Sequence, residues 1–179
     1  MFLTTHFTVG IAVGLATGNP ILGAAAGLVS HHVLDRVPHI DAGSSYVGKK
    51  EPDSLLDFKW WEKLITAGDI IIAALVLLWL LVKFSSPVMD VYVLDIWTKN
   101  DSIILWSAIG AAFPDLFYNI SKLLSPKFSY PFTGKPFVYY HRFHEWMHQT
   151  ISWKWWHVGL ATQAVLIGGS FWWILTKLT

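Results

Sequence analysis

The chemistry of this chain rests on eight histidines and a few carboxylates, because its 179 residues include no cysteine. Two stretches concentrate them. SHHVLDRVPHID holds His31, His32, Asp35, His39 and Asp41, and HRFHEWMH holds His141, His144, Glu145 and His148. His31 and Asp35 are one helical turn apart and share a face, whereas His32 points about 100° away and suits packing or support of a ligand. Pro38 disfavours helical geometry in the residue before it, so a helix should end near Val37. His39 and Asp41 then lie on the exiting loop, and His39 suits a ligand or a solvated loop residue equally. On a helix, His141, His144, Glu145 and His148 fall within an arc of about 100°. His144 to His148 also fits H-E-x-x-H, where two histidines one turn apart bind zinc and the glutamate activates water. The plain alternative for that stretch is the polar start of an amphipathic helix. His157 opens an apolar run and is expected to pack or hydrogen-bond.

His6, Asp69 and Asp115 lie in or beside apolar stretches. An ionised carboxylate inside a membrane span costs about 3 kcal/mol unless it is paired or coordinated, and such residues mark functional sites by default. A shared metal site is therefore expected over a set of structural polar groups. The preferred ligands are His6, His31, Asp35, Asp115, His144 and His148, followed by His141 and Asp69, with Glu145 as general base. Imidazole and carboxylate without thiolate suit zinc or another divalent transition metal such as iron or manganese. More than four candidates leave room for one or two ions. Two would favour phosphoester hydrolysis, by holding both the attacking and the leaving oxygen.

The elements that must position these groups are apolar. Hydrophobic residues make up 54% of the chain and charged residues 14%, too few to cover a soluble core comfortably. The net charge of +1 gives no reason to expect a nucleic-acid partner. The opening MFLTTHF lacks the basic region of a secretory signal, so no cleaved signal is expected. Residues 64–84, 102–120 and 151–175 approach the roughly 20 apolar residues that cross hydrocarbon. Two shorter apolar arms, 2–17 and 20–36, meet at Gly18-Asn19-Pro20, a turn signal with proline suited to a helix start. Gly10, Gly14, Gly23 and Gly27 repeat at a spacing that lets helix backbones approach. The expected fold is an all-α polytopic membrane bundle, one domain of about five hydrophobic segments with an N-terminal Gly-rich helical hairpin.

With five segments, ten of the 13 basic residues fall on one side, among them Arg36, Lys50, Lys59, Lys127 and Lys154. That side is cytoplasmic by the positive-inside rule, and every histidine falls on it. Trp60, Trp61, Trp153, Trp155 and Trp156 would form its aromatic belt, and Trp97, Trp172 and Trp173 the opposite one.

At these residues the chain resembles bacterial membrane-bound metal-dependent hydrolase-like proteins of the zinc-dependent phospholipase C superfamily. The features are Thr5-His6 opening a Gly-rich helix, Ser30-His31-His32-Val33-Leu34-Asp35 with Pro38-His39-Ile40-Asp41, Phe113-Pro114-Asp115, and the group His141, His144 and His148. His31/Asp35 and His141/Glu145 match the His-x-x-x-acid pairs of soluble members. Pro114-Asp115-Leu116-Phe117-Tyr118 stands where better-known members carry Pro-Asp-x-Asp-His. The resemblance implies a multi-pass protein of the inner (plasma) membrane and a zinc-dependent hydrolase acting on a phosphoester or lipid-like small molecule at the cytoplasmic interface. The alternatives are a membrane zinc protease using His144-Glu145-x-x-His148, and a non-enzymatic metal-binding or structural membrane protein.

Overall fold

The three longest apolar stretches become three long helices, and polar residues turn inward between them. The computed structural model describes residues 1–49, 58–84, 99–124 and 135–178. Lys50, Trp97 and Lys127 of the orientation argument lie outside the described residues. The helices are α1 (Leu3–Thr17), α2 (Pro20–Asp35), α3 (Trp60–Phe84), α4 (Lys99–Leu124), α5 (Lys135–Met147) and α6 (Trp156–Leu178). Among the described residues there is no strand, only a single bridge pairing His39 with Thr150.

Among the described residues, three segments are long and apolar enough to cross a membrane: Trp60–Phe84, Lys99–Ile120 and Trp153–Leu178. The expected count was about five. α1, with 15 residues, is apolar but short, and α5 carries the HRFHEWM stretch on a helix. The outward faces of the long helices are apolar, with Ile71, Leu75, Leu78 and Val82 of α3, Ile109 and Phe113 of α4, and Val165 and Trp172 of α6 all exposed. The inside carries Thr5, His6, Thr8, His31, Asp35, Ser107 and Gln163. A water-soluble domain has the reverse arrangement; contiguous apolar exposure on this scale fits contact with hydrocarbon.

Local chemistry explains how α1 and α2 meet. Gly18 adopts φ 62°, a left-handed conformation that ends α1 at little steric cost. The Asn19 side chain then accepts hydrogen bonds from the Ile21 and Leu22 amides at 2.9 and 3.1 Å, capping α2 just before Pro20. Both helices pack against α4 almost backbone to backbone. A Cβ on Gly14 or Gly23 would collide with Ser107, one on Gly27 with the Ser107 carbonyl, and one on Gly110 with the Ala24 carbonyl. Gly23 lies beside Ser107 and Ile103, and Gly27 beside Ser107 and Ala111, so α2 and α4 run parallel with matched turns.

α1 runs alongside α3 and α6. Its first turn is held by Asp69 of α3 and Gln163 of α6, and its far end joins an apolar core of Ile11, Ala12, Leu80, Ile104, Ala108 and Ile174. The start of α1 and the ends of α2 and α4 therefore share one end of the bundle, where the histidines collect.

Candidate metal centre

α2 and α4 bring the first group together. Because they run parallel in contact, His31 lies beside Ala111 and Asp115. Pro114 has no N–H to donate, and its ring disturbs the helical turn that precedes it. In that turn the Ala111 carbonyl lies 2.7 Å from His31 Nδ1. A carbonyl can only accept, so Nδ1 carries the proton, and in a neutral imidazole Nε2 presents a lone pair. His31 Nε2 lies 3.1 Å from Asp35 Oδ2 and 3.6 Å from Asp115 Oδ1. His144 Nε2 of α5 lies 3.7 Å from the same Asp115 oxygen. His31, Asp35, Asp115 and His144 each offer one ligand atom, all within 4.8 Å of one another. His31, His32 and His144 meet the same limit, so His32 can support or join this group.

Asp35 reaches a second group with its other oxygen. Oδ1 lies 3.2 Å from His6 Nε2, 4.0 Å from His148 Nε2 and 3.3 Å from the Met1 amino nitrogen. Asp41 Oδ2 lies 3.2 Å from His148 Nε2 and 3.4 Å from His39 Nε2. Asp35, His39 and His148 also offer ligand atoms within 4.8 Å of one another. The His39 ring is fixed as His31 is, with Nδ1 2.7 Å from the Val37 carbonyl. Metal-binding histidines commonly donate their second ring N–H to a carbonyl in this way, which fixes tautomer and ring orientation.

The bonding of these atoms is incomplete. His6 Nε2, His31 Nε2, His39 Nε2, Asp35 Oδ2 and Asp41 Oδ1 are buried and have no hydrogen-bond partner. His6, His31, Asp35 and His39 are fully buried residues. Buried polar groups are nearly always satisfied, and leaving one without a partner costs about 1–3 kcal/mol. Neutral imidazole nitrogens facing carboxylate oxygens at 3.1–3.6 Å repel unless a proton or a metal cation lies between them. The donor set therefore fits a divalent cation. It is reachable from outside, because the Asp115 and His148 side chains are 22% and 26% exposed.

No protein-family model matches the chain. Comparisons with curated proteins and with solved structures returned no significant match either. The site's own geometry therefore carries the functional reading.

Outside the spans, the charge states of His144, His39 and Asp41 suit ligation, whereas His148 must give up a proton to ligate. Burial above all pushes His144 down to about 3, so its ring is neutral and able to ligate at neutral pH. Burial, with the Met1 amino group, likewise holds His39 below the usual imidazole value despite the pull of Asp41. His148 moves upward: burial opposes its charge, but the hydrogen bond to Asp41 and the charges of Asp41 and Asp35 outweigh it. Asp41 stays well below the usual carboxylate range, since the Met1 amino group and the His148 and His39 rings overcome its burial.

The expected site residues divide. His6, His31, Asp35, Asp115, His144 and His148 converge. Asp69 is elsewhere: its carboxylate accepts from the Leu3 and Thr4 amides and, at 2.6 Å, from the Thr4 hydroxyl, and so caps α1 from a neighbouring helix. His141 lies against the Tyr118 ring and belongs to neither group. Glu145 is exposed, and its carboxylate accepts from the Tyr118 hydroxyl at 3.1 Å. His144 and His148 stack one turn apart, ring centroids 5.6 Å from each other, but fall in different groups, His144 beside Asp115 and His148 beside Asp41. His157 is exposed at the start of α6.

Asp41, and His39 more fully than expected, join the site through contacts the sequence does not announce. Ile40 is buried against Gly159, and its carbonyl accepts from Gln163 Nε2 at 3.0 Å. The Ile151 amide donates to the His39 carbonyl, and the Gln149 amide to the Asp35 carbonyl. These bonds fold the loop after α2 back onto the segment before α6. The available signal was Asp41 two residues after His39, directly following a helix that ends in Asp35.

Proposed function

We propose that this chain is a membrane-embedded, metal-dependent hydrolase whose centre opens at the cytoplasmic face of the plasma membrane. The observation behind this is the buried, unpartnered donor set in which Asp35 offers one oxygen to each of two groups. Three histidines or more with two carboxylates suit zinc, and the partly exposed rim at Asp115 and His148 favours an open position over a closed structural site. A divalent cation there would polarise a phosphoryl oxygen and make water nucleophilic near neutral pH. A carboxylate shared between two groups suits two ions and therefore a phosphoester, as the resemblance to phospholipase C-like hydrolases also suggests. A lipid-like substrate fits a site at the boundary of an apolar bundle.

The residues have separable roles in this reading. His31, Asp35, Asp115 and His144 hold the first ion, with His6 supporting Asp35. His39, Asp41 and His148 serve the second group. α1 and α2 complete a five-segment arrangement as short membrane segments of roughly 22–24 Å. The exposed Ile21, Leu22, Val29 and Val33 of α2 support contact with lipid.

Turnover by zinc-reconstituted protein in detergent tests the reading. A phosphodiester probe is expected to be hydrolysed, with loss in His31→Ala, and a peptide probe to be left intact. Peptide cleavage abolished by Glu145→Gln would move the assignment to a protease. Bound zinc with turnover of neither probe would move it to a non-catalytic metal protein.

A further inference from the structure

Tyr140, on α5, is the residue in which the metal-centre reading leaves an unexplained group. Its ring lies nearly parallel to His144, centroids 6.2 Å apart, and edge-on to His32 at 6.3 Å and to Phe117 at 5.2 Å. It is thus wedged among side chains of α2, α4 and α5 at the His31/Asp35/Asp115/His144 group.

The phenolic oxygen at the end of this ring is buried and has no hydrogen-bond partner. Tyrosine hydroxyls that are buried normally find one. The contrast with Tyr118 is direct. Tyr118 packs on the same His144 ring, at 4.7 Å, yet gives its hydroxyl proton to Glu145. A phenol donor thus lies beside the centre and finds no acceptor among the described residues.

We propose that the Tyr140 hydroxyl donates a hydrogen bond to an oxygen of a tetrahedral oxyanion, phosphate or a phosphoester, held at the adjoining metal centre. This rests on the metal-centre reading and assigns that centre its anion-binding side chain. Donors placed where charge develops are the usual means of stabilising such groups.

The test uses the full chain in detergent, loaded with cobalt(II) as a visible substitute for zinc and titrated with inorganic phosphate. The d–d spectrum reports phosphate binding, and elemental analysis reports cobalt per chain. Tyr140→Phe keeps the ring packing and removes only the hydroxyl. The expected result is unchanged cobalt content and an unchanged phosphate-free spectrum, with phosphate affinity about tenfold weaker or more, the worth of one hydrogen bond to a charged group. Equal phosphate affinity in the two proteins would overturn the assignment, as would a wild-type centre that takes cobalt but no phosphate. Wild-type protein that takes no cobalt would refute the metal centre itself, and the Tyr140 assignment with it.

Discussion

Replacing Asp35 with asparagine separates a metal centre from a buried hydrogen-bonded cluster. The substitution conserves shape and removes the carboxylate that both groups share, 3.1 Å from His31 on one side and 3.2 Å from His6 on the other. Losing a residue that merely supports a ligand lowers metal affinity about 10–100-fold, so losing this shared ligand should cost at least about 100-fold. At free zinc about 100 times the wild-type dissociation constant, binding stabilises wild type by about 2.7 kcal/mol. At the same zinc concentration the variant sits near or below half-saturation and gains about 0.4 kcal/mol or less. For a chain of this length each kcal/mol moves the melting temperature by about 2–4 °C. Adding zinc to chelator-treated protein should therefore raise wild-type Tm by roughly 5–10 °C and the variant's by no more than about 2 °C. Thermal unfolding followed by tryptophan fluorescence, with and without zinc, reads the difference. Equal zinc-dependent shifts in both proteins, or none in wild type, would refute the reasoning.

Asp69→Ala removes the acceptor of the first α1 amides and of the Thr4 hydroxyl, and should cost about 1–3 kcal/mol of stability while zinc content stays at the wild-type level; a drop in bound zinc without a loss in Tm would return Asp69 to the ligand set. Gly110→Ala should lower stability by about 1–3 kcal/mol and weaken zinc binding, because its Cβ overlaps the Ala24 carbonyl and forces α2 from α4, separating His31 from Asp115. Gly68→Ala on α3 is its control: that Cβ meets no neighbouring atom within 4 Å, so zinc binding should match wild type and Tm should hold or rise slightly. Similar behaviour of the two alanine variants in paired melts would show that the α2–α4 contact does not set the site.

Much of the helical content was legible from composition and run length. α3, α4 and α6 carry the long apolar stretches, and Gly18-Asn19-Pro20 announces a turn by its residue types alone. The tendency of histidines to gather at one end was legible too, because His6, His31, Asp115 and His144 each flank an apolar run on the same side. Individual partners were not. Asp69 has the sequence signature of an intramembrane ligand, but its role depends on α1 starting beside it, a tertiary fact that no periodicity along α3 encodes. H-E-x-x-H was read as one helical face, and the rings of His144 and His148 do stack one turn apart, yet they approach different carboxylates, Asp115 and Asp41. His39 and Asp41 follow a proline and look like loop residues; only the docking of Ile40 on Gly159 and Gln163 brings them back. Local pattern reports what a residue can do, and these packing contacts decide which of its chemistries is used.

The central claim is that unpaired imidazoles and carboxylates at one end of the bundle surround a divalent cation. X-ray absorption at the zinc edge, on purified zinc-loaded chain, tests it most directly. A shell of nitrogen and oxygen ligands at about 2.0–2.2 Å with imidazole scattering is expected, weakened in His31→Ala. A zinc spectrum with no imidazole contribution, or one identical in wild type and His31→Ala, would contradict it.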